Sequence, residues 1–385
     1  MDASISTSDW AVFWLVAGSR LLLPLLIPRF PLPAILAALL LDGVDQTVFQ
    51  QFTGLPLDGY QGYDKALDIY YLSIAYISIL RNWADLFAIR LAQFLFYWRL
   101  VGVALFELTQ LRPLLLIFPN TFEYFFIFYE LCRLRWEPAR IGKKALLGAA
   151  AAIWIGLKLP QEYWIHILQA DTTDWLKINL FAVPLETPWR EIWASHTGLL
   201  VTAFALVALL LAAAWWLLSR YLPAPDRAAA LSADAYQPAF SAEQVHEAMD
   251  SEARTILDAA LIEKAVLISL VSLSFAQVLP GVQASNLELS LGLGLVVVVN
   301  TALTHWLARR GFGWSLTLGR FVVMALVNGA LVFVYDALRA RLAAQFTAAS
   351  ALFFVLLLTL LVTLFDRYRQ VYLMRVGPRT ERGPR

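Results

Sequence analysis

Sulfur, imidazole and charge are all scarce in this chain. One of its 385 residues is cysteine, Cys132, so no internal disulfide forms and no Cys-rich zinc or iron–sulfur site can be built. Four histidines are too few for the multi-histidine clusters of membrane desaturases. Charged residues make up 15%, where soluble domains carry about 25%. The formal net charge of +1 provides no field to draw the chain to a nucleic acid. Familiar chemical signatures are missing as well. There is no phosphate-binding Gly-rich loop, no HExxH, no GxSxG and no facing pair of histidines suited to haem. The basic loop from Arg133 to Lys144 lacks the glycine- and aspartate-containing pattern of major facilitator transporters. No cofactor is implied, and no metal centre is assigned.

Apolar side chains are what the chain has in excess: 60% of its residues are hydrophobic. A crossing helix needs about 20 of them in a row. Apolar stretches occur at 10–27, 31–41, 65–80, 86–108, 113–132, 145–168, 196–218, 260–280, 287–308, 315–338 and 346–365. They predict an all-α, polytopic integral membrane protein with about 10–11 transmembrane helices. The 31–41 stretch is too short to cross unaided, so it either extends through Val44 or is re-entrant. The residues before Trp10 contain no Lys or Arg, and Arg20 lies inside the first stretch, so this is a retained helix and not a signal peptide. With the N-terminus outside, basic residues on the inner segments outnumber those on the outer ones about threefold. The C-terminus is then cytoplasmic, and a plasma-membrane location is expected.

Four regions follow from this pattern. Residues 1–218 form an N-terminal membrane region holding most of the intramembrane polar residues. Residues 219–259 are a cytoplasmic linker, in which Ser241, Gln244 and the apolar spacing after them predict an amphipathic helix. Residues 260–365 form a second membrane region, and 366–385 a basic cytoplasmic tail.

An ionisable residue inside a membrane costs roughly 2.5–3.5 kcal/mol at the bilayer centre, so it persists where it meets a partner, a cavity or a substrate. Three such places stand out. In the fifth stretch Pro119 removes a ladder hydrogen bond just before Asn120 and Glu123, and Glu130 shares the face of Glu123. A helix broken beside a carboxylate is a common way to build a transport site. In the fourth stretch Arg99 and Arg90 match the depths of Glu123 and Glu130 in an antiparallel hairpin, which offers Arg99 as counter-ion to Glu123 and Arg90–Glu130 as a structural pair, although the two arginines lie about 180° apart and face the fifth stretch together only if the helix is kinked. In the sixth stretch Lys158, Glu162 and His166 are spaced i, i+4, i+8 on one stripe, with Pro160 expected to kink or end the regular helix. That stripe leads into a predicted interfacial helix from Asp171 to Leu180, and His166 is suited to titrate near neutral pH.

A weaker signal lies in the outer segment, where Asp42, Asp45, Asp58 and Asp64 offer carboxylates of the kind that hold hard cations. Asn300, His305, Arg320, Asn328 and Asp336 are scattered through the later stretches and mark no site.

The best-supported reading is a transporter or permease-like protein, more readily a non-enzyme than an enzyme. Its substrate contacts would be Arg99, Asn120, Glu123, Lys158, Glu162 and His166. A membrane-embedded transferase acting on a lipid-linked substrate through Asp42, Asp45 and His166 is the alternative, and a non-catalytic scaffold the third. The partners are the lipid bilayer and a small molecule, ion or lipid that the sequence does not name. Nucleic acid is excluded, and no oligomeric state is read.

Overall fold

A computed structural model describes residues 6–56, 60–109, 111–170, 172–221, 223–236, 259–276, 286–309, 317–339 and 348–376. Every regular element among them is a helix. The predicted amphipathic helix from Ser241, Asp58 and the last arginines of the tail lie outside the described residues. The chain packs as two compact units, and they are not consecutive halves of the sequence. The first joins residues 1–100 to 230–385, and the second is 101–229.

The first unit opens with α1, Thr7–Leu22, continued by a 3-10 turn, Leu23–Leu26. Ser6 and Asp9 start it with a reciprocal capping box, each side chain taking the other's backbone N–H. Then come α2, Pro31–Phe52, and α3, Tyr60–Asn82. The 31–41 stretch is therefore the first half of a 22-residue helix, long enough to cross.

Helix α3 sits at the centre of this unit. It packs against α1 and α2 and against two C-terminal helices, α12, Ala259–Ala276, and α15, Ala348–Val376. From Ala66 to Leu80 nearly every α3 side chain is buried. Its serines survive burial by bonding within the helix, Ser73 to the carbonyl of Ile69 at 2.6 Å and Ser78 to that of Ala75 at 2.7 Å. Tyr76 stacks flat on Phe96, ring centres 4.5 Å apart. Between α12 and α15 lie α13, Asn286–Arg309, and α14, Thr317–Arg339.

Helix α4, Leu86–Thr109, carries the boundary between the units. The second unit continues with α5, Pro113–Ile117, and α6, Thr121–Arg135. A helical run follows from Lys143 to Ile167, made of α7, Lys143–Ala152, a π-helical segment, Ile153–Lys158, α8, Leu159–Glu162, and a second π-helical segment, Tyr163–Ile167. A short helical stretch, α9 with its π-helical continuation, Thr172–Leu180, sits where the interfacial helix is expected. The unit ends with α10, Trp189–Ser195, and α11, Thr197–Tyr221.

Five described helical spans are long and apolar enough to cross a membrane: Thr7–Leu26, Pro31–Phe52, Leu86–Phe106, Pro113–Arg135 and Ala349–Arg375. The pair Trp189–Ser195 and Thr197–Ala213, bent by 89°, makes a sixth if it is one span. Two other expected crossings are helices whose own polar residues dilute their apolar character. They are α3 with its tyrosines and aspartates and the run through Lys158 and Glu162. The protein is an all-helical, polytopic membrane protein.

Candidate functional site

The second unit is organised around an interruption. Helix α5 stops at Ile117, the chain passes through Phe118, Pro119 and Asn120, and α6 restarts at Thr121. Proline supplies the reason, since its ring occupies the position where the next N–H would donate. At such a restart the first-turn amides need acceptors, and an N-cap asparagine normally bends its side-chain oxygen onto them. Asn120 does not. Its backbone N–H goes to Oε1 of Glu162 at 3.1 Å, and its Nδ2 donates to Oε2 of Glu123 at 2.8 Å. Its Oδ1 is left buried with no partner among the described residues, as is the hydroxyl of Thr121, a residue only 1% exposed. Two buried oxygens with unused capacity at a helix break are unusual, because leaving such an atom unmatched costs about 1–3 kcal/mol.

Charged groups from the facing run close around this break. Lys158 is buried with its Nζ 3.7 Å from Oε2 of Glu123 and 4.0 Å from the centre of the Tyr124 ring. Glu162 takes the Asn120 N–H on one oxygen and meets Nε2 of His166 at 2.9 Å with the other. The structure thus brings Asn120, Glu123, Lys158, Glu162 and His166 into one connected group.

Local helix geometry makes the stripe possible. The two π-helical segments flank Pro160, so the run passes through the proline where sequence reasoning expects a kink or an end. The wider turn shifts bonding from i−4 towards i−5 carbonyls, as when Leu159 N–H reaches Trp154 O, which relieves the usual clash of a proline ring with the preceding turn. Such segments recur at functional sites.

Arg99 is half-buried on α4. Arg90 is exposed and makes no ion pair among the described residues. Glu130 is held instead by Arg133 on its own helix, whose NH1 lies 2.8 and 2.9 Å from its two oxygens. A partner one turn away needs no second helix to be placed correctly, which is why it is at hand.

The first unit contains a second polar cluster, broader than the aspartates of the outer segment suggest. Arg20, whose side chain is 3% exposed, reaches from α1 to four carboxylates. Asp42 and Asp45 come from α2, and Asp64 and Asp68 from α3, with Asp64 at 2.8 Å and Asp68 at 3.0 Å. The pairs are three and four residues apart, so each helix presents both acids on one face. Tyr60 donates to Asp45, and the Tyr63 ring lies 5.7 Å from the guanidinium carbon. Oxygens of Asp42, Asp64 and Asp68 fall within 4.8 Å of one another, the spacing that a hard cation would need. In this structure the guanidinium of Arg20 already serves those oxygens. That weighs against the transferase alternative, which needs Asp42 and Asp45 open to a metal.

The later helices hold polar contacts that composition does not reveal. Lys264 and Asp366 form a buried pair at 2.7 Å, and the Tyr76 hydroxyl donates to Glu263. Asn300 donates to Asn328, which donates to Thr359 at 2.9 Å, joining α13, α14 and α15. Cross-helix amide contacts of this kind act as packing glue in membranes. Comparison with protein-family models, curated proteins and solved structures finds no match to this chain.

Proposed function

We propose that the protein is a membrane transporter or permease-like protein whose solute contacts are Asn120, Thr121, Glu123, Lys158, Glu162 and His166. One observation carries this reading. A membrane helix is broken at Pro119, and the two buried oxygens at the break, Asn120 Oδ1 and Thr121 Oγ1, lack partners among the described residues. A structural ion-pair cluster has every reason to satisfy such atoms, whereas a binding site leaves them for its ligand. Broken helices beside charged side chains are the recurring device for solute sites in transporters. Asn120 Oδ1 can only accept, so the favoured solute is small and carries hydrogen-bond donors. The threefold excess of basic residues on one set of segments supports an outside N-terminus and a cytoplasmic C-terminus in a plasma membrane.

Water access tests the reading. In a chain with Cys132 replaced by alanine, a cysteine at Thr121 should react with a small water-soluble thiol reagent in native membranes. A cysteine at the exposed Ser195 serves as a labelling control. Failure of the Thr121 cysteine to react from either side, with the control labelled, overturns the transport reading. A reporter fused after Arg385 and active outside the cytoplasm overturns the orientation.

A further inference from the structure

The helix break sorts its polar atoms by type. The donors of Asn120 and Thr121 have acceptors. The Asn120 N–H goes to Glu162 at 3.1 Å, its Nδ2 to Glu123 at 2.8 Å, and the Thr121 N–H to the carbonyl of Pro119 at 2.8 Å. The unmatched atoms are acceptors. Asn120 Oδ1 and Thr121 Oγ1 have no hydrogen-bond partner among the described residues, and the two residues are only 8% and 1% exposed. A hydroxyl oxygen accepts through its lone pairs whichever way its hydrogen turns.

The backbone adds acceptors of the same kind. In an unbroken helix the carbonyls of Leu115 and Leu116 would take the N–H groups of residues 119 and 120. Residue 119 is proline and has none, and the Asn120 N–H is given to Glu162. Helical carbonyls point along the axis towards the C-terminal end, so these two leave α5 in the direction of the break.

A set of unmatched acceptors defines the group that fits it. A hydroxyl, an amide or a carboxylate brings acceptors of its own, which would need further donors. A primary ammonium brings three donors and no acceptor. The sign of its charge suits the place as well. Glu123 and Glu162 both accept from Asn120, and each has further contacts, Lys158 and His166 among them. An anionic group beside Asn120 would stand next to two carboxylates, and a cationic one is attracted by them.

We propose that the helix break binds the ammonium group of a small primary amine, with Asn120 Oδ1 and Thr121 Oγ1 accepting two of its hydrogens and a carbonyl at the end of α5 the third. That this amine is a transported solute rests on the transport reading above, whereas its binding does not. No covalent bond forms or breaks.

Ligand-dependent melting of the purified full-length protein tests this, with methylammonium chloride as the probe. Methylammonium should raise the melting temperature in a saturable way. Tetramethylammonium has the same charge and no N–H, and sodium has no hydrogen to donate, so at equal ionic strength neither should do so. Thr121→Val removes one acceptor and keeps the shape. It should weaken methylammonium binding about tenfold or more, because a hydrogen bond to a charged group is lost. The same change should leave the melting temperature without ligand equal or higher, because an unmatched buried hydroxyl is removed. Thr121→Ser keeps the oxygen and should keep the response. A purely structural Thr121 gives the reverse, a lower melting temperature without ligand and an undiminished response in Thr121→Val, and that result overturns the proposal. A shift with sodium as large as with methylammonium assigns the oxygens to a metal ion and overturns it too, as does an equal response to tetramethylammonium. No response of wild type to methylammonium, beside a reactive Thr121→Cys, sinks the ammonium site while the transport reading stands. A response that Thr121→Val loses, beside an unreactive Thr121→Cys, keeps the ammonium site and overturns its role in transport.

Discussion

Gly102 on α4 and Phe118 at the helix break lie so close that a methyl group at position 102 would collide with the Cβ of Phe118. That carbon is fixed to the backbone, so the neighbour cannot swing away. Here the missing side chain of glycine lets one helix lie directly on the chain that leads into Pro119 and Asn120.

Gly102→Ala should therefore destabilise the protein by about 1–3 kcal/mol, the usual cost of overpacking. Gly148 in α7 has open space where its Cβ would sit. Gly148→Ala should instead be neutral or stabilising by about 0.5–1 kcal/mol, the helix-propensity gain. Thermal unfolding of both variants in the same detergent checks the contrast. Equal effects would mean the close contact is not real.

The Arg20 cluster should be asymmetric. Arg20→Gln leaves four carboxylates facing one another and should cost about 3–5 kcal/mol, the penalty for breaking a buried pair from one side. Losing one aspartate removes a charge from an acid-rich group, so Asp45→Asn should cost less. Adding Asp45→Asn to Arg20→Gln should restore part of the loss. Expression level and melting temperature give the ordering, and an Asp45→Asn variant worse than Arg20→Gln contradicts it.

Lys158 and Glu123 should behave as a coupled pair. Lys158→Met and Glu123→Gln each remove one side of this buried contact. The double variant should be damaged less than the sum of the two, by about 0.5–3 kcal/mol. Melting of the three variants beside wild type closes the cycle, and strict additivity would separate the two residues.

A pH-dependent contact lies outside the spans. The Asp234 carboxyl is held below its ordinary range, chiefly by the hydrogen bond from Arg81 and then by the charges of Arg81 and Arg29. Its folded-state value is depressed, so its contribution is present above the unfolded value near about 4 and is lost as pH falls through the lower folded value. Wild type should lose more melting temperature than Asp234→Asn between pH about 5 and about 3. Parallel losses would detach Asp234 from that acid limb.

The break at Pro119 is readable in the sequence because a missing N–H acts locally. The Lys158, Glu162 and His166 stripe is readable because spacing alone places it. The contact between Glu123 and Lys158 is harder, since Lys158 comes from a third helix that matching of depths within one hairpin does not reach. Glu130 illustrates the opposite error. Arg133, three residues on, holds it, and no matching of depths is needed. Asp68 hides in a tyrosine-rich helix, and its role appears only when three helices converge on Arg20. The π-helical segments carry no compositional mark at all. They arise from packing around Pro160, which a one-dimensional pattern does not contain.

Arg20 precedes every one of its partners along the chain. As the ribosome makes α1, the acids that will neutralise its arginine are still 22 to 48 residues away from being joined to it. A lone arginine in a membrane helix costs roughly 2.5–3.5 kcal/mol at its centre, so α1 cannot settle alone at its final depth. It gains its place only when α2 and then α3 arrive. Assembly of the first unit is thereby ordered in time, and truncation of the nascent chain between residues 52 and 63 should leave α1 loosely held, with half of its acids missing.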